Sequence, residues 1–322
     1  MALSKPMRYA IAALTRRAEK VDIKQKYKLV RSFTRAAHPP LLKTSYLPWD
    51  HRISCGDHEV PVRIFTPDGA LRRPGSLLLF FHGGGWVTGD IDSYSDSCVL
   101  MTRMTGCKVV SVDYRLAPEY RFPAGLEDCY AAAQTILQNA DAFGAFAEQV
   151  TLIGDSAGGN LAAAVSLLAR DRGGLVPKRQ ILLYPSTYND HNPATSPFAS
   201  VCTNGQGNML TAQRVEDYMD LYKSSDADFQ NPYFAPLLAE DLSRQPETLV
   251  LTAELDPLRD EGEAYGKKIG GAGVRAAVYR IPDCLHGFLS LPGLPLPVRQ
   301  AYQHINAFLE QKPCAEFHPE KA

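Results

Sequence analysis

Val150-Thr-Leu-Ile-Gly-Asp-Ser-Ala-Gly-Gly-Asn160 is the stretch that decides the fold. Val150–Ile153 is a short apolar run of the kind found in strands covered on both faces. Asn160–Arg170 then has the composition of a helix rich in Ala and Leu. Between them, Gly154-Asp155-Ser156-Ala157-Gly158 places a serine between two glycines at a strand-to-helix turn. Glycines belong where a side chain would strike the neighbouring strand or helix. The turn can then be sharp enough to lift the Ser156 hydroxyl clear of the sheet. The amide of Ala157 faces the same space, at the positive end of the following helix, where it can donate to an oxyanion. A glycine-rich turn without chemistry would carry the same five residues, so support must come from elsewhere.

Outward from this turn, Leu77–Phe81, Lys108–Val112, Gln180–Tyr184, Thr248–Thr252 and Ala276–Tyr279 are further apolar runs suited to buried parallel strands. Helical stretches at Gly125–Ala140 and Asp260–Ala272 alternate with them. Ile53–Cys55 and Val60–Phe65 read as an antiparallel pair around Gly56-Asp57. The expectation is an α/β fold: a mostly parallel, eight-stranded sheet with helices on both faces. Two helices precede the strands. Met7, Ile11, Leu14, Ala18 and Val21 trace one apolar face, and Lys24–Ala36 stops before His38-Pro39-Pro40. Pro185 to about Pro236 breaks the alternation, with a helix near Ala212–Tyr222. An insertion this long over a sheet edge reads as a lid. The division expected is residues 1–45 as N-terminal cap helices and 46–322 as the catalytic domain, with a cap insertion at about 185–236.

Composition excludes several classes. The net charge of −1 over 322 residues gives no overall electrostatic case for nucleic acid or an anionic membrane. Seven cysteines, an odd number with no C-x-x-C pair, argue against zinc sites and disulfide frameworks, and for reduced thiols in the cytoplasm. The first twenty residues lack the shape of a signal peptide, and no apolar run is long enough for stable membrane insertion.

A serine nucleophile needs an oxyanion site, a base and an acid. Leu77–Phe81 runs directly into His82-Gly-Gly-Gly-Trp86, whose bare backbone lets a substrate oxygen approach; Gly83 and Gly84 are the candidate donors. No G-K-[ST] ending follows either glycine-rich segment, so a phosphate-binding loop is disfavoured. Downstream of Ser156 the histidines are His191, His286, His304 and His318. His286 alone follows the last strand, at the sheet edge where the serine emerges. For the acid, Asp256 in the loop after Thr248–Thr252 is preferred because Pro257 holds it extended, with Glu254 and Asp260 as rivals.

With these residues in place the chain resembles the hormone-sensitive-lipase-like esterases, a bacterial family (family IV) of the α/β-hydrolase superfamily that includes acetyl esterases. The resemblance runs from about Trp49 to Leu309. It rests on His82-Gly-Gly-Gly-Trp86, Val112-Asp-Tyr-Arg-Leu-Ala-Pro-Glu119, Phe122-Pro-Ala124, Gly154–Asn160, Asp256-Pro-Leu-Arg-Asp-Glu-Gly262 and His286-Gly-Phe288. It implies Ser156, Asp256 and His286 as the catalytic residues; Gly83, Gly84 and Ala157 as oxyanion donors; and no cofactor or metal. It further implies a small-molecule ester with a short- to medium-chain acyl group as substrate. An amidase or peptidase with the same triad, or a non-catalytic receptor on the same scaffold, is the alternative. Relatives pair through the last strand, here Arg275–Arg280, so a homodimer is possible. Asp113, Arg115 and Glu119 read as one ion-pair network holding their loop against the nucleophile helix. Trp86, Phe198, Met209, Tyr218 and Phe288 are candidate acyl-pocket residues. Asp283-Cys284 stands where relatives have glycine before the histidine; Asp tolerates left-handed backbone, and Cys284 suggests thiol sensitivity.

Overall fold

A computed structural model describes residues 21–37, 49–67, 72–290 and 295–312. Eight strands form one sheet: β1 (Trp49–Cys55), β2 (His58–Phe65), β3 (Gly75–Phe81), β4 (Lys108–Val112), β5 (Ala145–Asp155), β6 (Arg179–Leu183), β7 (Glu247–Leu255) and β8 (Ala276–Leu285). Their spatial order is β1-β2-β4-β3-β5-β6-β7-β8. β1–β2 and β2–β4 pair antiparallel, and every other pair is parallel. This is the α/β-hydrolase sheet, and the apolar runs of the sequence are its central strands.

The helices are α1 (Ile23–Ala37), α2 (Ser95–Thr105), α3 (Ala124–Gln138), α4 (Ala157–Asp171), α5 (Ala199–Asn204), α6 (Ala212–Tyr222), α7 (Arg259–Gly271) and α8 (Pro295–Leu309). Alternation along β3 separates two cores. Leu77, Leu79 and Phe81 face the side covered by α3, α4 and α7, where Leu126, Leu161 and Ile269 are buried. Leu78 and Phe80 face α2 and α8, with Met101, Tyr302 and Ile305. Each fully buried Leu, Ile or Phe side chain contributes about 1.5–3 kcal/mol. α4 runs through the centre, buried from Ala157 to Ala169. Its small residues, Ala162 to Ala164 among them, let it lie close against the strands.

Some boundaries depart from the sequence reading. β8 continues past Tyr279 through Pro282 to Leu285; it is the edge strand, so a missing N–H there breaks no ladder bond toward a further neighbour. α2 has no clear apolar period in the sequence, because its buried side includes Ser95, Thr102 and Thr105 beside Cys98, Val99 and Met101. The helix expected over Met7–Val21 lies outside the described residues, apart from Val21 itself. The stretch 185–236 holds α5, α6 and short 3₁₀ turns. α6 is capped by the Thr211 hydroxyl, which accepts from the Arg214 amide at 3.2 Å, and α1 packs against α6. Among the described residues no helix is long and apolar enough to cross a membrane.

Candidate active site

β5 delivers its last residue, Asp155, directly into Ser156, which sits at φ +56° and ψ −119°. A non-glycine residue keeps such a backbone only when its surroundings fix it. Here the Ser156 amide donates to Leu183 O at 2.8 Å, and the Ser186 amide to Ser156 O at 3.3 Å. The flanking glycines have no room for a side chain. A Cβ on Gly154 would lie 2.1 Å from Gly158 O, and one on Gly158 1.9 Å from Phe81 O.

Three distant segments meet at this turn. His286, immediately after β8, puts Nε2 at 2.8 Å from Ser156 Oγ and Nδ1 at 2.7 Å from Asp256 Oδ2. The Asp256 side chain is fully buried, and its Oδ1 accepts from the Leu258 amide at 2.9 Å. With a carboxylate on the Nδ1 side, the neutral ring carries its proton there and leaves Nε2 free to accept from the serine hydroxyl. The Tyr184 ring packs edge-on against the imidazole, with centroids 5.0 Å apart.

The rival acids are engaged elsewhere. Glu254 accepts from the Asp283 amide at 2.7 Å, and Asp260 accepts from the Ser200 amide at 2.7 Å and from Arg259. Asp283 takes the left-handed backbone, at φ +53°. Among the other histidines, His191 pairs with Glu261 at 2.6 Å and His304 stacks on Tyr279. His318 lies outside the described residues.

Ser156 opens onto a cavity of about 290 Å³. Gly84, Gly85 and Ala157 line it. The Ala157 amide is at the first turn of α4, where no intrahelical acceptor exists. Gly83 must be corrected as a donor: its amide donates to Asp155 Oδ1 at 2.7 Å, and Gly83 does not line the cavity. Of this turn, Gly84 and Gly85 are the glycines that line the cavity. A Cβ on Gly85 would fall 2.3 Å from the Tyr218 ring, so Tyr218 lies directly over this bare backbone.

Asp155, beside the nucleophile, reads from the sequence as a loop-fixing acceptor and not a second base, and it holds the Gly83 amide. That partner had no sequence signal, nor did Tyr94, whose hydroxyl donates to Asp155 Oδ2 at 3.3 Å. Burial pushes the Asp155 carboxyl up to about 6, against the bond from the Gly83 amide. Of the candidate pocket aromatics and Met, Trp86, Met209 and Tyr218 line the cavity, joined by Leu210 and Val215. Phe198 packs on Tyr188 instead, and Phe288 is buried against Tyr184.

The expected Asp113–Arg115–Glu119 network is also corrected, because the three side chains diverge. Arg115 binds Asp128 of α3, at 2.8 to 3.1 Å. Glu119 binds Arg31 of α1, and Asp113 accepts from the Ile91 amide. A loop with alternating charges can face several elements at once, which spacing alone does not reveal. Cys55, His58 and Asp128 cluster within 4.8 Å, but the Arg115 guanidinium already occupies the Asp128 carboxylate that a cation would need.

A family model described as the alpha/beta hydrolase fold matches residues 78–290. The chain belongs to the hormone-sensitive-lipase-like esterases of the α/β-hydrolase superfamily. It is accordingly a carboxylic ester hydrolase. An arylesterase of Saccharolobus solfataricus is 39% identical over 264 residues, 81% of this chain and 82% of its own. An ethyl acetate hydrolase of Pseudomonas putida is 36% identical over 260 residues, 77% of this chain and 80% of its own. Among solved structures, a hyperthermophilic esterase from Pyrobaculum calidifontis superposes with a TM-score of 0.83 at 33% identity, covering 97% of this chain and 99% of its own. The esterase is thus similar along nearly its whole length to proteins of that activity.

Proposed function

We propose that this esterase cleaves short- to medium-chain acyl esters through an acyl-enzyme on Ser156. The observation that carries the reading is the unbroken hydrogen-bond chain Ser156–His286–Asp256 opening onto a small apolar cavity. His286 Nε2 takes the hydroxyl proton as Oγ attacks the ester carbon. The carbonyl oxygen becomes an oxyanion on the amides of Gly84, Gly85 and Ala157. His286 then protonates the leaving alcohol, and a water activated at the same nitrogen releases the acid. Asp256 keeps the ring in the productive tautomer and stabilises its cationic form.

The cavity of about 290 Å³ is at the small end of ligand sites, and Trp86, Leu210, Val215 and Tyr218 give it apolar walls. This favours a compact acyl chain. α5 and α6 with α1 form a cap on this reading, as Leu210, Val215 and Tyr218 reach the cavity from the insertion. A series of nitrophenyl esters from acetate to laurate tests the substrate class: kcat/KM should peak among the short and medium chains, and a laurate optimum overturns it. Ser156→Ala should lower turnover by about 10⁵–10⁶; near-normal turnover in that variant refutes the nucleophile.

A further inference from the structure

We propose that Arg31, on the N-terminal helix α1, is a positioning residue for the oxyanion turn. The inference rests on the reading of Gly84 and Gly85 as oxyanion donors. That turn is strained: Gly84, Gly85 and Trp86 follow one another at φ +106°, +62° and +59°. A run of positive φ ending on a tryptophan persists only where surrounding contacts over-determine it.

Inside the turn, Gly84 O accepts from the Val87 amide at 3.2 Å and the Thr88 amide at 2.9 Å. The indole of Trp86 is fixed by stacking on Tyr222, with centroids 4.5 Å apart. The outward carbonyls need partners from elsewhere. Trp86 O accepts from the Ala117 amide at 2.9 Å. Val87 O accepts from Arg31 Nε at 2.6 Å, and Ala117 O from Arg31 Nη2 at 2.7 Å. One guanidinium therefore closes both strands of a small ladder, Trp86-Val87 against Ala117.

Arg31 is itself held. Glu119 receives its two terminal nitrogens at 3.1 and 2.9 Å, and the Tyr27 ring lies 4.9 Å from the guanidinium carbon. The helix that carries it is tied down on both sides of this point. Arg35 pairs with Asp90, just beyond the turn. Lys24 lies 3.5 Å from Asp217 on α6, and Arg214 donates to Val21 O at 2.9 Å. The guanidinium makes four hydrogen bonds from three nitrogens, to two carbonyls and a carboxylate; an ammonium has three donors on one nitrogen and cannot reproduce this geometry. Through Arg31, the N-terminal helix reaches the donors without touching substrate.

Arg31→Ala should lower kcat by about 10- to 100-fold with KM within about twofold, since a small misplacement of donors acts in the transition state. Affinity for a trifluoromethyl ketone, whose adduct with Ser156 carries the oxyanion, should fall by a similar factor. Millimolar guanidinium should restore much of kcat in Arg31→Ala, whereas Arg31→Lys should stay impaired. A change in packing alone would not respond to guanidinium. Unaltered kcat in Arg31→Ala, or lost kcat with unchanged ketone affinity, overturns the proposal. If Arg31→Ala fails to fold, Glu119→Gln carries the test: it loosens the fork while leaving the carbonyl bonds. It should show a smaller loss in kcat and ketone affinity together, and no loss overturns the proposal. Fluorophosphonate labelling of Ser156 in the wild type separates the two readings. Labelling with an indifferent Arg31→Ala sinks this inference alone, and absence of labelling sinks the nucleophile as well.

Discussion

The amide nitrogen of Gly83 lies 2.7 Å from Oδ1 of Asp155. The residue before the nucleophile thus fastens the loop after β3 to the end of β5, two adjacent parallel strands. Ser156 and the turn at Gly84-Gly85 keep a fixed separation because one carboxylate spans them.

That carboxylate makes stability depend on pH. Burial raises its pKa from 3.8 to about 6. The folded protein therefore keeps a proton there over a range in which the unfolded chain has lost it. The contribution is fully present at low pH and is lost as pH rises through about 6. Asp155→Asn removes this dependence. Its stability relative to wild type should improve by up to about 3 kcal/mol between about pH 4 and about pH 8. Urea unfolding at the two pH values checks it, and a difference that does not change with pH counts against the assignment.

Asp256 is the acid in contact with the imidazole, so Asp256→Asn should leave the fold intact and the tautomer wrong. Turnover should fall by about 10⁴ with little change in KM. Glu254→Gln keeps an acceptor for the Asp283 amide and should remain close to wild type. Comparable losses in the two variants would remove the distinction between them.

The structure argues against thiol sensitivity at Cys284. Its side chain is fully buried, its Sγ–H points to Ile281 O at 3.1 Å, and burial pushes its pKa up to about 12. A thiol in that state has almost no thiolate at neutral pH. Iodoacetamide should label the exposed Cys202 and leave Cys284 and activity unchanged. Mass spectrometry with a parallel rate assay checks this, and inactivation that tracks alkylation of Cys284 would reverse the conclusion.

Much of the fold is legible in the sequence because buried parallel strands are apolar on both faces. Leu77–Phe81 and Lys108–Val112 announce themselves whatever surrounds them. The elbow is legible because packing between strand and helix forces glycine at both Gly154 and Gly158. Side-chain pairings across long separations are not. Gly83 reads as a bare donor until Asp155 is seen on its amide. Arg31 looks like one cation among many on a basic helix, although it binds Val87, Ala117 and Glu119. Local spacing fixes which face a residue occupies, while the partner waiting there depends on how the whole chain closes.

Glu261 and His191 form the clearest such pair outside the triad. Both side chains are fully buried, 2.6 Å apart, and Glu261 also accepts from the Thr187 amide at 2.6 Å and the Tyr188 amide at 3.1 Å. One carboxylate from α7 therefore anchors the start of the insertion to the segment that carries Asp256. Burial lowers the His191 pKa, but the charge and hydrogen bond of Glu261 outweigh it, and the net direction is upward. The pair's contribution is complete below the ordinary histidine range and fades as pH rises through the folded value. Glu261→Ala orphans His191 and two amides and should cost about 3–5 kcal/mol. Glu261→Gln can still accept from both amides and should cost less, with a penalty that shrinks toward alkaline pH as His191 becomes neutral. Urea unfolding of both variants across pH decides the matter, and a glutamine penalty that grows with pH would contradict a charged pair.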